Sequence, residues 1–93
     1  AAIATCRRSG ATAALDQMNK YMTDCNMPIV PSQHWNVVHG NTPEEIHRDT
    51  EGLQTMRTLA RNMAWLLKCI ALGREHGIEF PAHEQHTMTN FIR

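Results

Sequence analysis

No apolar run in this chain exceeds a few residues, whereas a bilayer-spanning helix takes about 20. No membrane span is therefore predicted. A charged start followed by an apolar stretch is also missing, and no secretion leader is expected. Charge of one sign is not in excess: nine Lys and Arg balance nine Asp and Glu, which leaves no global field to draw in nucleic acid or anionic lipid. Cysteine is scarce and odd in number, with Cys6, Cys25 and Cys69 far apart. A disulfide scaffold and a CxxC metal site are both disfavoured, and a reducing, cytoplasmic setting is expected. Repeats, low-complexity tracts and Gly/Ser linkers do not occur, so residues 1–93 are read as one unit.

What is present alternates between two periods. Ala1 to Cys6 is a short, nearly continuous apolar run stopped by Arg7-Arg8-Ser9-Gly10, the pattern of a strand buried on both faces. Ala11, Ala14, Leu15, Met18, Tyr21, Met22 and Cys25 then recur at three- and four-residue steps, which predicts an amphipathic helix ended by Pro28. Met27-Pro-Ile-Val-Pro31 reads as a second short strand, and its two prolines place it at an edge. Ser32 to Asn41 reads as a loop. Thr42-Pro43-Glu44-Glu45 combines an N-cap hydroxyl, a proline at the first helical position and a glutamate at the third. The helix it starts is expected to falter near Asp49 to Gly52. It then resumes through Leu53, Met56, Leu59, Met63, Leu66, Leu67 and Ile70, with its stop at Gly73 or Gly77. The tail, 78–93, has no firm period and is expected to be extended or loosely helical.

Strand, helix, strand, long helix is the order of a parallel βαβ unit in an α/β layered fold. Two apolar helix stripes are more than a two-stranded sheet can cover. More chain in the intact protein, or association of copies, is expected. The start at Ala1, directly into a strand, also reads as part of something longer.

Ligands of open parallel sheets bind beyond the carboxyl ends of the strands. Two loops are placed there. Arg7, Arg8, Ser9 and Gly10 lead into a helix start, where unpaired N–H groups and the positive dipole end suit an anionic or electron-rich ligand. The plain alternative is a pair of solvated arginines with Ser9 as a helix cap. In the second loop Trp35 offers a stacking face, and His39 beside Gly40 offers a hydrogen-bond donor. The alternative is a tryptophan packed under its own loop. His83 and His86 lack a third metal ligand nearby, so no metal site is assigned. Cys6 has no positioned base, and no Ser-His-Asp order or carboxylate pair stands out, so a hydrolase is not indicated.

The stretch Cys6-Arg-Arg-Ser-Gly-Ala-Thr-Ala-Ala-Leu15, followed by Met27-Pro-Ile-Val30, His34-Trp-Asn-Val-Val-His-Gly40, Asp49-Thr-Glu-Gly-Leu53 and Arg57-Thr-Leu-Ala-Arg-Asn-Met-Ala64, resembles the C-terminal half of flavodoxin-like, NAD(P)H-dependent FMN reductases. The likeness covers residues 1 to about 77. It implies a three-layer fold around a five-stranded parallel sheet, of which this chain holds the last two strands and their helices. It also implies bound FMN, NAD(P)H as electron donor, a quinone, flavin or similar acceptor, and a homo-oligomer. Arg7, Arg8, Ser9 and Gly10 correspond to the loop that lines the flavin ring, and Trp35, His39 and Gly40 to residues near the ring or the neighbouring subunit. The phosphate loop after the family's first strand has no counterpart in these 93 residues. Hydride passes directly between the two cofactors, so no catalytic residue is assigned. The rival reading is a non-catalytic α/β interaction or oligomerisation module without flavin.

Overall fold

Ala4–Cys6 forms β1, but not buried on both faces as expected: Ala2 and Ala4 are buried on one side, whereas Ile3 and Thr5 on the other are exposed, because the helix on that side packs against the neighbouring strand. The computed structural model describes residues 1–92. After β1 come α1 (Ala11–Asp24), β2 (Val37–His39), α2 (Pro43–Arg48) and α3 (Thr50–Glu75). β1 and β2 pair in parallel, with Ala4 opposite Val37, Thr5 opposite Val38 and Cys6 opposite His39. Backbone bonds from Ala4 N–H to Asn36 C=O (2.9 Å) and from Gly40 N–H to Cys6 C=O (3.1 Å) close the two ends of this ladder. The protein is thus a small α/β unit on a two-stranded parallel sheet.

The second strand is not where periodicity put it. Residues 27–31 do not lie beside 1–6, and the partner of β1 comes from within the segment read as a loop. Asn26 adopts φ 55° and ends α1 in the left-handed region. The Met27 N–H then bonds the Met22 carbonyl at 2.9 Å, which turns the chain off the helix. Pro28 and Pro31 donate nothing to a ladder, and the Pro31 carbonyl accepts instead from the Asn62 side chain at 2.9 Å. Val37 and Val38 carry the β-branched side chains that suit a strand.

Register sorts the side chains to two faces. Ala2 and Ala4 form a buried cluster with Ala11 and Leu15 of α1, and Cys6, Met22 and Val37 pack against it. On the other face Val38 is buried and α3 crosses close by. A Cβ on Gly52 would stand 3.1 Å from the Val38 Cα, so only glycine lets α3 approach β2 this closely. Thr55 and Leu59 are the buried residues of the next turns. Thr58 and Asn62 then hold the connecting segment through Gln33 and Pro31.

The capping reading is met in detail. Thr42 accepts from the Glu45 N–H at 3.3 Å, and the Glu45 carboxylate reaches back to the Asn41 N–H at 2.7 Å, one residue before the cap. The expected break falls at Asp49, which ends α2 and caps α3. α3 stops at Glu75, with Gly77 at φ 80° just beyond. Past Leu59 no residue of α3 is buried, and 78–92 form no regular element. Much of both predicted stripes is exposed, Tyr21 at 74% and Ile70 at 44% among them, as expected of helices on so narrow a sheet.

Candidate functional site

Both strands end side by side, because the Gly40 N–H bonds the Cys6 carbonyl. Arg7, Arg8, Ser9 and Gly10 therefore leave β1 next to His39 and Gly40 leaving β2. Gly10 is the N-cap of α1 at φ 94°, and no side chain caps the helix. Ser9 does not serve as the cap, contrary to the plain alternative. α1 also has no acid in its first turn, so its free N–H groups and positive end have no anionic partner within that turn. Arg7 and Arg8 are exposed beside it, and no carboxylate pairs with either among the described residues. An added Cβ at Gly10 meets nothing within 4 Å, so a ligand has open access to this backbone. The arrangement fits an anionic or electron-rich group.

Gly40 has a structural reason for lacking a side chain. A Cβ there would come within 2.6 Å of Ile46 Cγ1 in α2. Its packing role is thus visible, whatever else it does.

Trp35 stands elsewhere than expected. It precedes β2 across a tight turn in which the Val37 N–H bonds the Trp35 carbonyl at 2.7 Å, and so lies at the amino end of the strand. Its ring is 60% exposed and meets His34 edge-on, with centroids 4.9 Å apart. It is not packed under its loop against the core. A cleft of about 320 Å³ runs along the free edge of β2 and does bring Trp35 and His39 into one wall. Thr12 of α1 borders it on one side, and Asp49, Gly52 and Thr55 on the other. None of Arg7 to Gly10 lines this cleft. The sequence-derived residues therefore form two neighbouring groups, a strand-tip group and an edge group, that share only the His39–Gly40 end of β2.

Asp49 is the residue sequence reasoning passed over. Its carboxylate accepts from the His39 N–H at 2.7 Å and from the Gly52 N–H at 2.9 Å. It lies 3.7 Å from His39 Nδ1. The His39 N–H, then the Gly52 N–H, hold its pKa below the usual 3.8 by bonding the charged form, against a smaller opposing effect of burial. The clue was local: an acid three residues before a glycine, at the point where the helix falters. Because both carboxylate oxygens are engaged by backbone donors, Asp49 is a structural acceptor. The imidazole of His39 is exposed in the cleft beside this carboxylate, with Thr12 and Glu51 as further polar groups of its lining.

His83, set aside as a metal ligand, makes a 3.0 Å hydrogen bond between its Nε2 and the Asn26 Nδ2. Among the described residues no three His, Cys, Asp or Glu side chains gather as a metal site, and no helix is long and apolar enough to cross a membrane. Comparison with protein-family models, curated proteins and solved structures finds no match to this chain.

Proposed function

We propose that this chain is the carboxy-terminal portion of a flavodoxin-like domain and serves an NAD(P)H-dependent FMN oxidoreductase of the flavin or quinone reductase kind. One observation carries the reading: two parallel strands end together, and the first delivers exposed arginines and an uncapped helix start to that end. Strand tips of this build are where α/β sheets hold nucleotide cofactors. In the proposal Arg7, Arg8, Ser9 and Gly10 face the flavin ring, with His39 and Gly40 from the adjacent tip. Trp35 lies at the far end of β2 and belongs to this site less directly than its place in the sequence implies.

FMN, when bound, supplies the chemistry by taking hydride from NAD(P)H and passing electrons to a quinone, flavin or similar acceptor. The chain's own residues then have binding and electrostatic work. Free N–H groups of the first turn of α1 and the guanidinium groups of Arg7 and Arg8 favour negative charge on the ring, which is stabilisation without proton transfer. Nothing in the tip group is placed to move a proton. The proposal includes a homo-oligomer in a cytoplasmic setting, the exposed stripes of α1 and α3 being surface that such assembly would cover.

The test is a flavin fluorescence titration of the chain within its complete reading frame. Quenching of FMN and a yellow preparation are expected. Arg8→Ala should weaken FMN about tenfold, the scale of one charge-assisted hydrogen bond. A colourless protein that leaves added FMN unquenched overturns the reading in favour of the flavin-free interaction module. Unchanged affinity in Arg8→Ala removes that residue from the site.

A further inference from the structure

From Gly52 to Leu72 α3 contains no acid, while Arg57, Arg61 and Lys68 fall within this stretch and Arg74 follows it. At about 100° per residue Arg57, Arg61 and Lys68 share an arc of roughly 40°, on the side of α3 away from the buried Thr55 and Leu59, while Arg74 falls about 100° to one side of Arg57. Leu72, 57% exposed, and Trp65, 67% exposed, adjoin it and widen this outward face to about 80°. No strand added to the sheet covers this face, because the sheet lies on the other side of the helix. The described ion pair is His39 with Asp49, and none of the four cations has a carboxylate partner among the described residues.

Exposed acids stand near the other end of α3, although Asp16, Asp24, Glu75, Glu79 and Glu84 lie elsewhere in the chain. Glu44, Glu45 and Glu51 are exposed on α2 and the first turn of α3. Glu51 and Lys68 are about 25 Å apart along one stiff helix, too far to pair within a copy. A two-fold arrangement brings the acidic end of each α3 onto the basic arc of the other, forming the same contact twice. The chain is formally neutral, so a polyanion such as nucleic acid or an anionic bilayer meets no net field, whereas the local contrast between the acid-free stretch of α3 and the exposed glutamates Glu44, Glu45 and Glu51 can be matched by a second copy. We propose that the outward face of α3 is the interface through which two copies of this chain associate, its cations seated on the acidic α2–α3 junction of the other copy around Trp65 and Leu72. The inference rests on the homo-oligomer reading above and is independent of flavin.

Sedimentation velocity on the full chain tests it, at about 0.1 M and about 1 M salt, between which the screening length falls from about 10 Å to about 3 Å. A dimer that weakens at least about tenfold at high salt is expected. The double variant Arg61→Glu/Lys68→Glu, with circular dichroism to verify the fold, should lose the dimer, as should Glu44→Lys/Glu51→Lys. An equimolar mixture of the two should restore it. A wild-type chain that stays monomeric overturns both this inference and the homo-oligomer reading. A dimer indifferent to both charge reversals leaves that reading standing and overturns the α3 interface. Failure of the mixture to reassociate, or capture of the wild type alone by anionic lipid vesicles, also overturns it.

Discussion

Asp49 joins three parts of the structure with one carboxylate: the outer edge of β2 at the His39 N–H, the start of α3 at the Gly52 N–H, and the end of α2, which it terminates. Backbone donors that bind the charged form lower its pKa, and the sign of the pH effect follows. The group is ionised more readily folded than unfolded, so its stabilisation is complete above the unfolded value near 3.8 and fades as pH falls through the lower folded value. Asp49→Asn is therefore expected to be less stable than wild type at pH 7 and to approach it only as pH falls below 3.8 through the lower folded value, where wild type takes up the proton. Asp49→Ala should cost about 1–2 kcal/mol at pH 7, the scale of a lost helix cap. Thermal melts of all three proteins across this range give the comparison. An equal gap between wild type and Asp49→Asn at pH 7 and pH 3 contradicts the assignment. The sequence showed only that the helix falters near Asp49; that this acid caps the second segment and serves a strand ten residues earlier was not legible, since nothing local pairs 39 with 49.

The elements formed where local rules are strong. Thr42-Pro43-Glu44-Glu45 started a helix because Thr42 and Glu45 bond backbone N–H groups within four positions of themselves and Pro43 brings no N–H to leave unpaired. The β1 reading survived for a similar reason: a short apolar run stopped by charge has few other uses. The second strand failed because strand formation is a pairing event, not a local one. Val37 and Val38 are strand formers, yet the polar residues around them gave them the look of a loop, while Ile29 and Val30 between prolines imitated an edge strand. Close approach of α3 to β2 is equally non-local, and it depends on Gly52. Gly52→Ala puts a methyl against the Val38 backbone and the Asp49 carboxylate, so it should destabilise by about 1–3 kcal/mol although alanine is the better helix former. A denaturation midpoint equal to or above that of wild type would show that α3 is not held this close.

At the scale of the molecule, the striking departure is shape: a Cα radius of gyration of 17.6 Å, where a compact chain of this length has about 12 Å. α3 is about 39 Å long and packs on the sheet only through its first half. Helix stability in water comes chiefly from packing, so the two halves should differ in how readily they open. In the charge-reversed Arg61→Glu/Lys68→Glu variant, amides of residues 64–75 are expected to exchange hydrogen at least about tenfold faster than those of 55–60. Uniform protection along α3 would mean that its outer half is held by contacts the isolated chain does not make.

Of the candidate site, the strand-tip half was legible in the sequence, because a strand that ends in Arg-Arg-Ser-Gly before a helix exposes that loop wherever the strand's neighbour comes from. The placing of Trp35 was not legible, since a ten-residue shift of the second strand carries it from one end of the sheet to the other. By itself the sequence determined what depends on near neighbours: helix starts and stops, the break at Asp49, and apolar stripes too wide for their sheet. Tertiary structure alone decided which segment pairs with β1, which donors Asp49 receives and which face of α3 is left outward, because each of these joins residues whose meeting is governed by packing and not by any pattern along the chain.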